Sequence, residues 1–157
     1  MSKTAFAAAF AVVLCASPAL ALDVSTSTEI AAAPAAVWKT IGDFCGIGQW
    51  HPVVERCVLS DKAGKSIRTL SLKGGGTLVE EQLARDDKKM SYSYSILEGP
   101  LPVANYKSTI IVAPSGSGSK VTWSGDFTAK GVDDAKAKEV ILGIYEAGLK
   151  SIAAKSK

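Results

Sequence analysis

The sequence predicts an α+β domain: a curved antiparallel sheet of about seven strands wrapped around one long C-terminal helix, with two short helices after the first strand. Three observations predict it. Segments of period-two alternation follow one another from Asp23 to Ala129; the clearest is Met90–Leu97, where Met90, Tyr92, Tyr94 and Ile96 alternate with serines. The connections are of hairpin length and rich in Gly, Asp, Ser and Lys, which makes neighbouring strands antiparallel. From Asp133 the period changes to about 3.6. Ala137, Ile141, Ile144, Tyr145, Gly148 and Ile152 then share one side of a helical wheel, and Lys136, Glu139, Glu146 and Lys150 occupy the other.

Each element has a local cause. Asp23–Ile30 is β-branched and alternating, hence a strand. Pro34 sits where a helix begins and its missing N–H costs nothing; Val37, Trp38 and Ile41 give that helix an apolar side, and Gly42 ends it. Asp43–Pro52 is a loop or one short helical turn. Val53–Leu59 and Ile67–Lys73 are strands joined by a turn over Asp61–Lys65, and Gly74–Gly76 is a hairpin that leads into Thr77–Arg85. Asp86–Lys88 turns the chain into Met90–Leu97, Gly99–Pro102 breaks the sheet, and Tyr106–Val112 and Val121–Ala129 complete it. Asp133 or Asp134 serves the positive end of the last helix.

Of the 157 residues, 47% are apolar and 21% charged, which excludes disorder by composition. The net charge is only +3, with no basic run and no aromatic-interleaved patch, so nucleic acid is not an expected partner. Residues 1–21 read as a signal peptide: Lys3, an apolar run to Ala16, the breaker Ser17-Pro18 and the small-x-small site Ala19-Leu20-Ala21. The run is too short to span a bilayer core of ~30 Å. Its removal leaves 136 residues without a second long apolar run, so the expectation is one domain over 22–157, periplasmic or secreted, with no membrane span after cleavage.

The order of elements and the segments GDFCGIGQWHP, IRTLSLKGGGTLVEEQLARDD and YSYSILEGPLPVANY resemble the START-type helix-grip (SRPBCC) superfamily, in its exported bacterial polyketide cyclase/dehydrase-like branch. The resemblance covers nearly all of residues 23–155. It implies a cavity between the sheet and the C-terminal helix, and a small hydrophobic or amphipathic ligand within it. The same branch includes an accessory protein of methanol oxidation. It therefore also implies a periplasmic protein partner, a redox enzyme such as methanol dehydrogenase. The enzyme alternative is a polyketide cyclase/dehydrase-like activity on an aromatic substrate, with His51 and an inward carboxylate as acid–base groups.

The residues offer eight candidates for such a site: Trp50, His51, Arg68, Glu80, Tyr94, Glu98, Tyr106 and Trp123. His51 is the only histidine and stands at the entry to a strand, where a structural hydrogen bond to the backbone competes with ligand contact and with acid–base work. Counting from a Gly74–Gly76 loop puts Arg68 opposite Gln82 and diagonal to Glu80, either exposed on the outer face or buried as a polar group in an apolar cavity. Glu98 extends the face of Tyr92, Tyr94 and Ile96. Tyr94, Tyr106 and Trp123 serve as core or pocket wall. Gly143 and Gly148 suggest room beneath the helix or close contact with the sheet, Gly125 is a small inward group, and a cavity of at least about 300 Å³ is expected, opening near His51 and Gly99–Val103. No phosphate loop, G-x-S-x-G or paired catalytic carboxylates are present, so no catalytic residue and no cofactor is assigned.

Cys45, His51 and Cys57 are evenly spaced by six but lack a fourth ligand, so no metal is expected. The two cysteines that remain after cleavage are either a disulfide or two buried thiols. The oxidising compartment and the even count favour the Cys45–Cys57 bridge.

Overall fold

Residues 21–157 are described by a computed structural model; the expected leader, apart from Ala21, lies outside the described residues. The order is β1 (Leu22–Ile30), α1 (Pro34–Ile41), α2 (Ile47–Trp50), β2 (Val54–Lys62), β3 (Lys65–Leu72), β4 (Thr77–Asp86), β5 (Ser91–Glu98), β6 (Val103–Ser115), β7 (Gly118–Ala129) and α3 (Asp134–Lys155). The strands form one antiparallel sheet of seven in the order β1-β7-β6-β5-β4-β3-β2. This is a helix-grip fold. The last strand pairs with the first, so β1 and β2 are the two edges and α1 and α2 bridge from one to the other.

The elements begin and end for the expected reasons. Pro34 opens α1, and Gly42 closes it at a φ of 71° while its N–H bonds to Trp38 O. Between the two candidates for the cap of α3, Asp133 does the work: its carboxylate accepts the Lys136 N–H at 2.7 Å. The inward side of α3 buries Ala137, Ile141, Tyr145, Gly148, Leu149 and Ile152. Burying an aliphatic chain of this kind contributes about 1.5–3 kcal/mol. On the outward face Ser93 of β5 and Thr109 of β6 bond each other across the strands at 2.8 Å.

One register differs from the count made on the sequence. Arg68 stands directly opposite Glu80, and Leu70 opposite Leu78. The connection, residues 73–76, is longer than three glycines. Leu72 N–H bonds to Gly76 O and Gly75 N–H to Leu72 O, so the turn closes on Leu72, the last residue of β3, and takes in Lys73. The shift is two residues, so no side chain changes face.

Candidate functional site

The segment between α1 and β2 is fastened at both ends. Cys45 and Cys57 are bridged, with Cα atoms 5.6 Å apart. Within the loop the Trp50 indole N–H donates to Ile41 O at 3.0 Å. His51 is 4% exposed and holds two backbone groups: Nε2 lies 3.1 Å from Ile144 O in the middle of α3, and Nδ1 lies 3.4 Å from the Val53 N–H. A carbonyl only accepts and an N–H only donates, so Nε2 carries the proton and Nδ1 is bare. The ring is neutral. Burial pushes its pKa down to about 4, against the pull of the Ile144 bond and with some help from the Arg68 charge. Neither nitrogen is free for acid–base chemistry.

Arg68 and Glu80 face inward from adjacent strands and are buried. Arg68 Nε donates to Glu80 Oε2 at 2.6 Å, and its Nη1 donates to Phe44 O at 2.6 Å. The guanidinium also lies over the Phe44 ring at 4.1 Å and the Tyr94 ring at 4.8 Å, so aromatic faces stand in for part of its lost hydration. Burial pushes the Glu80 carboxyl up and Arg68 opposes it. Arg68 keeps its charge, and neutralising Glu80 would strand a buried cation, so the pair is ionic. Glu80 Oε1 receives no hydrogen bond among the described residues and is not fully sealed; Glu80 lines the cavity described below.

A run of hydroxyl groups continues from Tyr94 beneath α3. Tyr94 and Tyr106 oxygens are 3.3 Å apart, Tyr106 and Tyr145 2.6 Å, and Tyr145 and Ser108 Oγ 2.9 Å. The far end fixes the direction. Ser108 donates to Ser124 O at 2.7 Å, so its oxygen accepts from Tyr145. Tyr145 then accepts from Tyr106, and Tyr106 from Tyr94. The Trp123 N–H adds to Ser108 Oγ at 2.9 Å and to Tyr94 at 3.2 Å. Burial raises the phenol pKa values, Tyr145 to about 12, so all three stay protonated near neutral pH. Tyr145 stacks on Trp123 with centroids 4.5 Å apart. Neither Tyr145 nor Ser108 stood out in the sequence. The available signal was a serine between Tyr106 and Ile110 on an inward alternation.

Beside these rings lies a cavity of about 70 Å³. Leu70, Leu72, Leu78, Ile96, Ile141 and Ile144 form its aliphatic wall, and Val53 and Leu101 stand at its rim, near His51 and the Gly99–Val103 turn as expected. It is far smaller than the expected 300 Å³, for a definite reason. The space left by glycines is filled by rings: a Cβ on Gly148 would lie 2.6 Å from Trp123 and 2.9 Å from His51, and one on Gly125 2.4 Å from the Tyr145 hydroxyl. Gly143 faces open space and vacates nothing inside.

Of the eight candidate residues, His51, Glu80, Tyr94, Tyr106 and Trp123 line the cavity. Arg68 sits behind Glu80, and Trp50 is packed edge-on to Trp123 at 5.8 Å. Glu98 is exposed and outside the cavity. The β4–β5 register slips between Val79 and Glu80, so the alternation through Tyr92, Tyr94 and Ile96 does not carry Glu98 inward. Among the described residues no cluster of His, Cys, Asp and Glu could hold a metal ion, and no helix is long and apolar enough to cross a membrane.

The family model for polyketide cyclase / dehydrase and lipid transport proteins matches residues 21–157. No curated protein matches. Among solved structures, the protein XoxI from Bacillus cereus is 38% identical over 85% of this chain and 94% of its own, with a TM-score of 0.80. An uncharacterised protein from Bacillus thuringiensis is 36% identical over 85% of this chain and 97% of its own, at 0.79. The ZhuI aromatase/cyclase from Streptomyces sp. R1128 shares the fold, with a TM-score of 0.70 and 16% identity over 87% of this chain and 94% of its own.

Proposed function

Because the chain belongs to the polyketide cyclase / dehydrase and lipid transport family, we propose that it is exported and binds a small, mostly apolar molecule between the sheet and α3 without transforming it. The observation that carries this reading is the composition of the cavity wall: aliphatic side chains with a few polar groups at one end, the usual make-up of a ligand site. The commitment of both His51 nitrogens to the backbone favours binding over catalysis, since the cyclase-like alternative needs that ring as an acid or base.

A slender apolar probe, n-pentane followed by amide chemical shifts, tests the reading. It binds the purified protein, and Ile144→Phe, which adds volume at the half-buried end of the cavity wall, weakens it. Probe binding that ignores the substitution rejects the site. Native mass spectrometry of protein from its host then identifies the co-purified molecule. Export is checked by intact mass, which corresponds to residues 22–157 if cleavage follows Ala21.

A second reading is association with a periplasmic redox enzyme such as methanol dehydrogenase. The edge strand β2 favours it, because Val58 and Leu59 stand exposed on it, one on each face. Leu59→Lys abolishes such a complex in a two-component binding assay and leaves n-pentane binding unchanged.

A further inference from the structure

We infer that the ligand enters with a neutral hydroxyl group foremost, on a slender apolar stem, and that this hydroxyl donates its hydrogen bond to Glu80 Oε1. The inference rests on the binding reading above and follows from a census of hydrogens around the cavity. His51 gives its one ring proton to Ile144 O. Tyr94, Tyr106 and Tyr145 pass theirs down a chain that ends on Ser124 O, and the Trp123 N–H is shared between Ser108 and Tyr94. Among the described residues that line the cavity, no side-chain donor is left over; the unpaired donors nearby, Arg68 Nη2, Gln82 Nε2 and the Tyr92 hydroxyl, are sealed and do not line it. The wall offers acceptors, and Glu80 Oε1 is the strongest, being a carboxylate oxygen without a hydrogen bond.

A molecule whose polar end can only accept, such as an ether or a ketone, therefore finds lone pairs facing lone pairs. A carboxylate is repelled by Glu80 as well. An ammonium group would bring a net charge into an apolar wall where Arg68 already balances Glu80, at the cost of its own hydration. A hydroxyl supplies one hydrogen, brings no charge and reproduces the bond a water would make there. The aliphatic wall of Leu70, Leu72, Leu78 and Ile96 suits an alkyl stem, and the cavity of about 70 Å³ admits nothing broad.

The probes are n-hexanol, methyl pentyl ether of the same heavy-atom count, and hexanoate. Their affinities are read from amide chemical shifts in the purified protein. The expected result is n-hexanol binding at least about tenfold tighter than the ether, since a hydrogen bond to a charged acceptor contributes that much or more. Hexanoate is weakest. In the double variant Arg68→Met/Glu80→Leu, which removes the ion pair without stranding either charge, the advantage of the alcohol disappears and the ether still binds. Equal affinity for alcohol and ether in the unaltered protein, or preference for hexanoate, overturns the hydroxyl assignment and leaves the cavity as a binding site. An advantage that persists in the double variant overturns the role of Glu80. If none of the three binds, the binding function itself falls, and the hydroxyl assignment with it.

Discussion

The space under α3 is occupied in two different ways. Around Tyr145 and Gly148 it is full: Trp50, His51 and Trp123 press against the helix, and the hydroxyl groups have partners down to a backbone carbonyl. One turn earlier, at Ile141 and Ile144, the same helix faces aliphatic side chains across a gap of about 70 Å³. The filled half is buried throughout, whereas Ile144, Leu72 and Ile96 on the aliphatic side are half-buried. The halves also differ in adaptability. Rings locked by hydrogen bonds have one arrangement, whereas leucine and isoleucine can shift rotamers around a guest. The filled half positions the helix and the aliphatic half leaves it something to hold.

The largest test strikes the ion pair at the boundary between the halves. Arg68→Met alone strands the Glu80 charge and costs about 3–5 kcal/mol in urea unfolding. Arg68→Met/Glu80→Leu recovers most of that loss. If the single variant is harmless, the boundary is wetter than the contrast requires.

Next comes pH. Folded His51 stays neutral down to about pH 4, whereas the unfolded residue takes a proton near 6.5. Between those values the unfolded chain binds a proton that the folded chain excludes. Stability present above pH 6.5 is therefore lost as pH falls toward 4, by about 3 kcal/mol in all. Thermal unfolding across that range reads the slope, and His51→Gln flattens it.

Two glycines on α3 sharpen the contrast further. Gly148→Ala drives a methyl into Trp123 and His51 and costs about 1–3 kcal/mol. Gly143→Ala meets nothing and gains about 0.5–1 kcal/mol from helix propensity, the smallest effect. Urea midpoints distinguish the two signs; destabilisation at both positions would mean that the outer face of α3 is covered as well.

The same two glycines mark the limit of what could be read from the chain. Alternation and turn residues fix the strands, because period two and hairpin chemistry are local. The apolar stripe fixes α3 for the same reason. On the sequence, however, Gly143 and Gly148 are alike, and only the position of Trp123 on a strand distant in sequence separates them. Glu98 was misplaced because a bulge, invisible in the alternation, slips the β4–β5 register. Arg68 and Glu80 were legible as neighbours on one face, but which way that face turns is set by the helix packed on it, and their direct pairing depends on how many residues the turn takes up. Tyr145 and Ser108 escaped notice because a hydroxyl on an apolar face has no signature until its acceptor is known. Cavity size was the least legible quantity, since glycines vacate volume on paper that rings reclaim in space.

The bond from His51 to Ile144 O has a kinetic meaning. It ties the loop before β2 to the middle of α3, and the Cys45–Cys57 bridge ties the same loop to β2. That side of the mouth cannot part from the helix without breaking a part-buried hydrogen bond. The opposite side is Leu101, in a turn between Gly99 and Pro102 that carries no such anchor to α3 among the hydrogen bonds described. Widening the mouth is cheapest there. Under the proposed binding function the turn would govern how fast a guest arrives and Glu80 how long it stays, so the two rates could be altered independently.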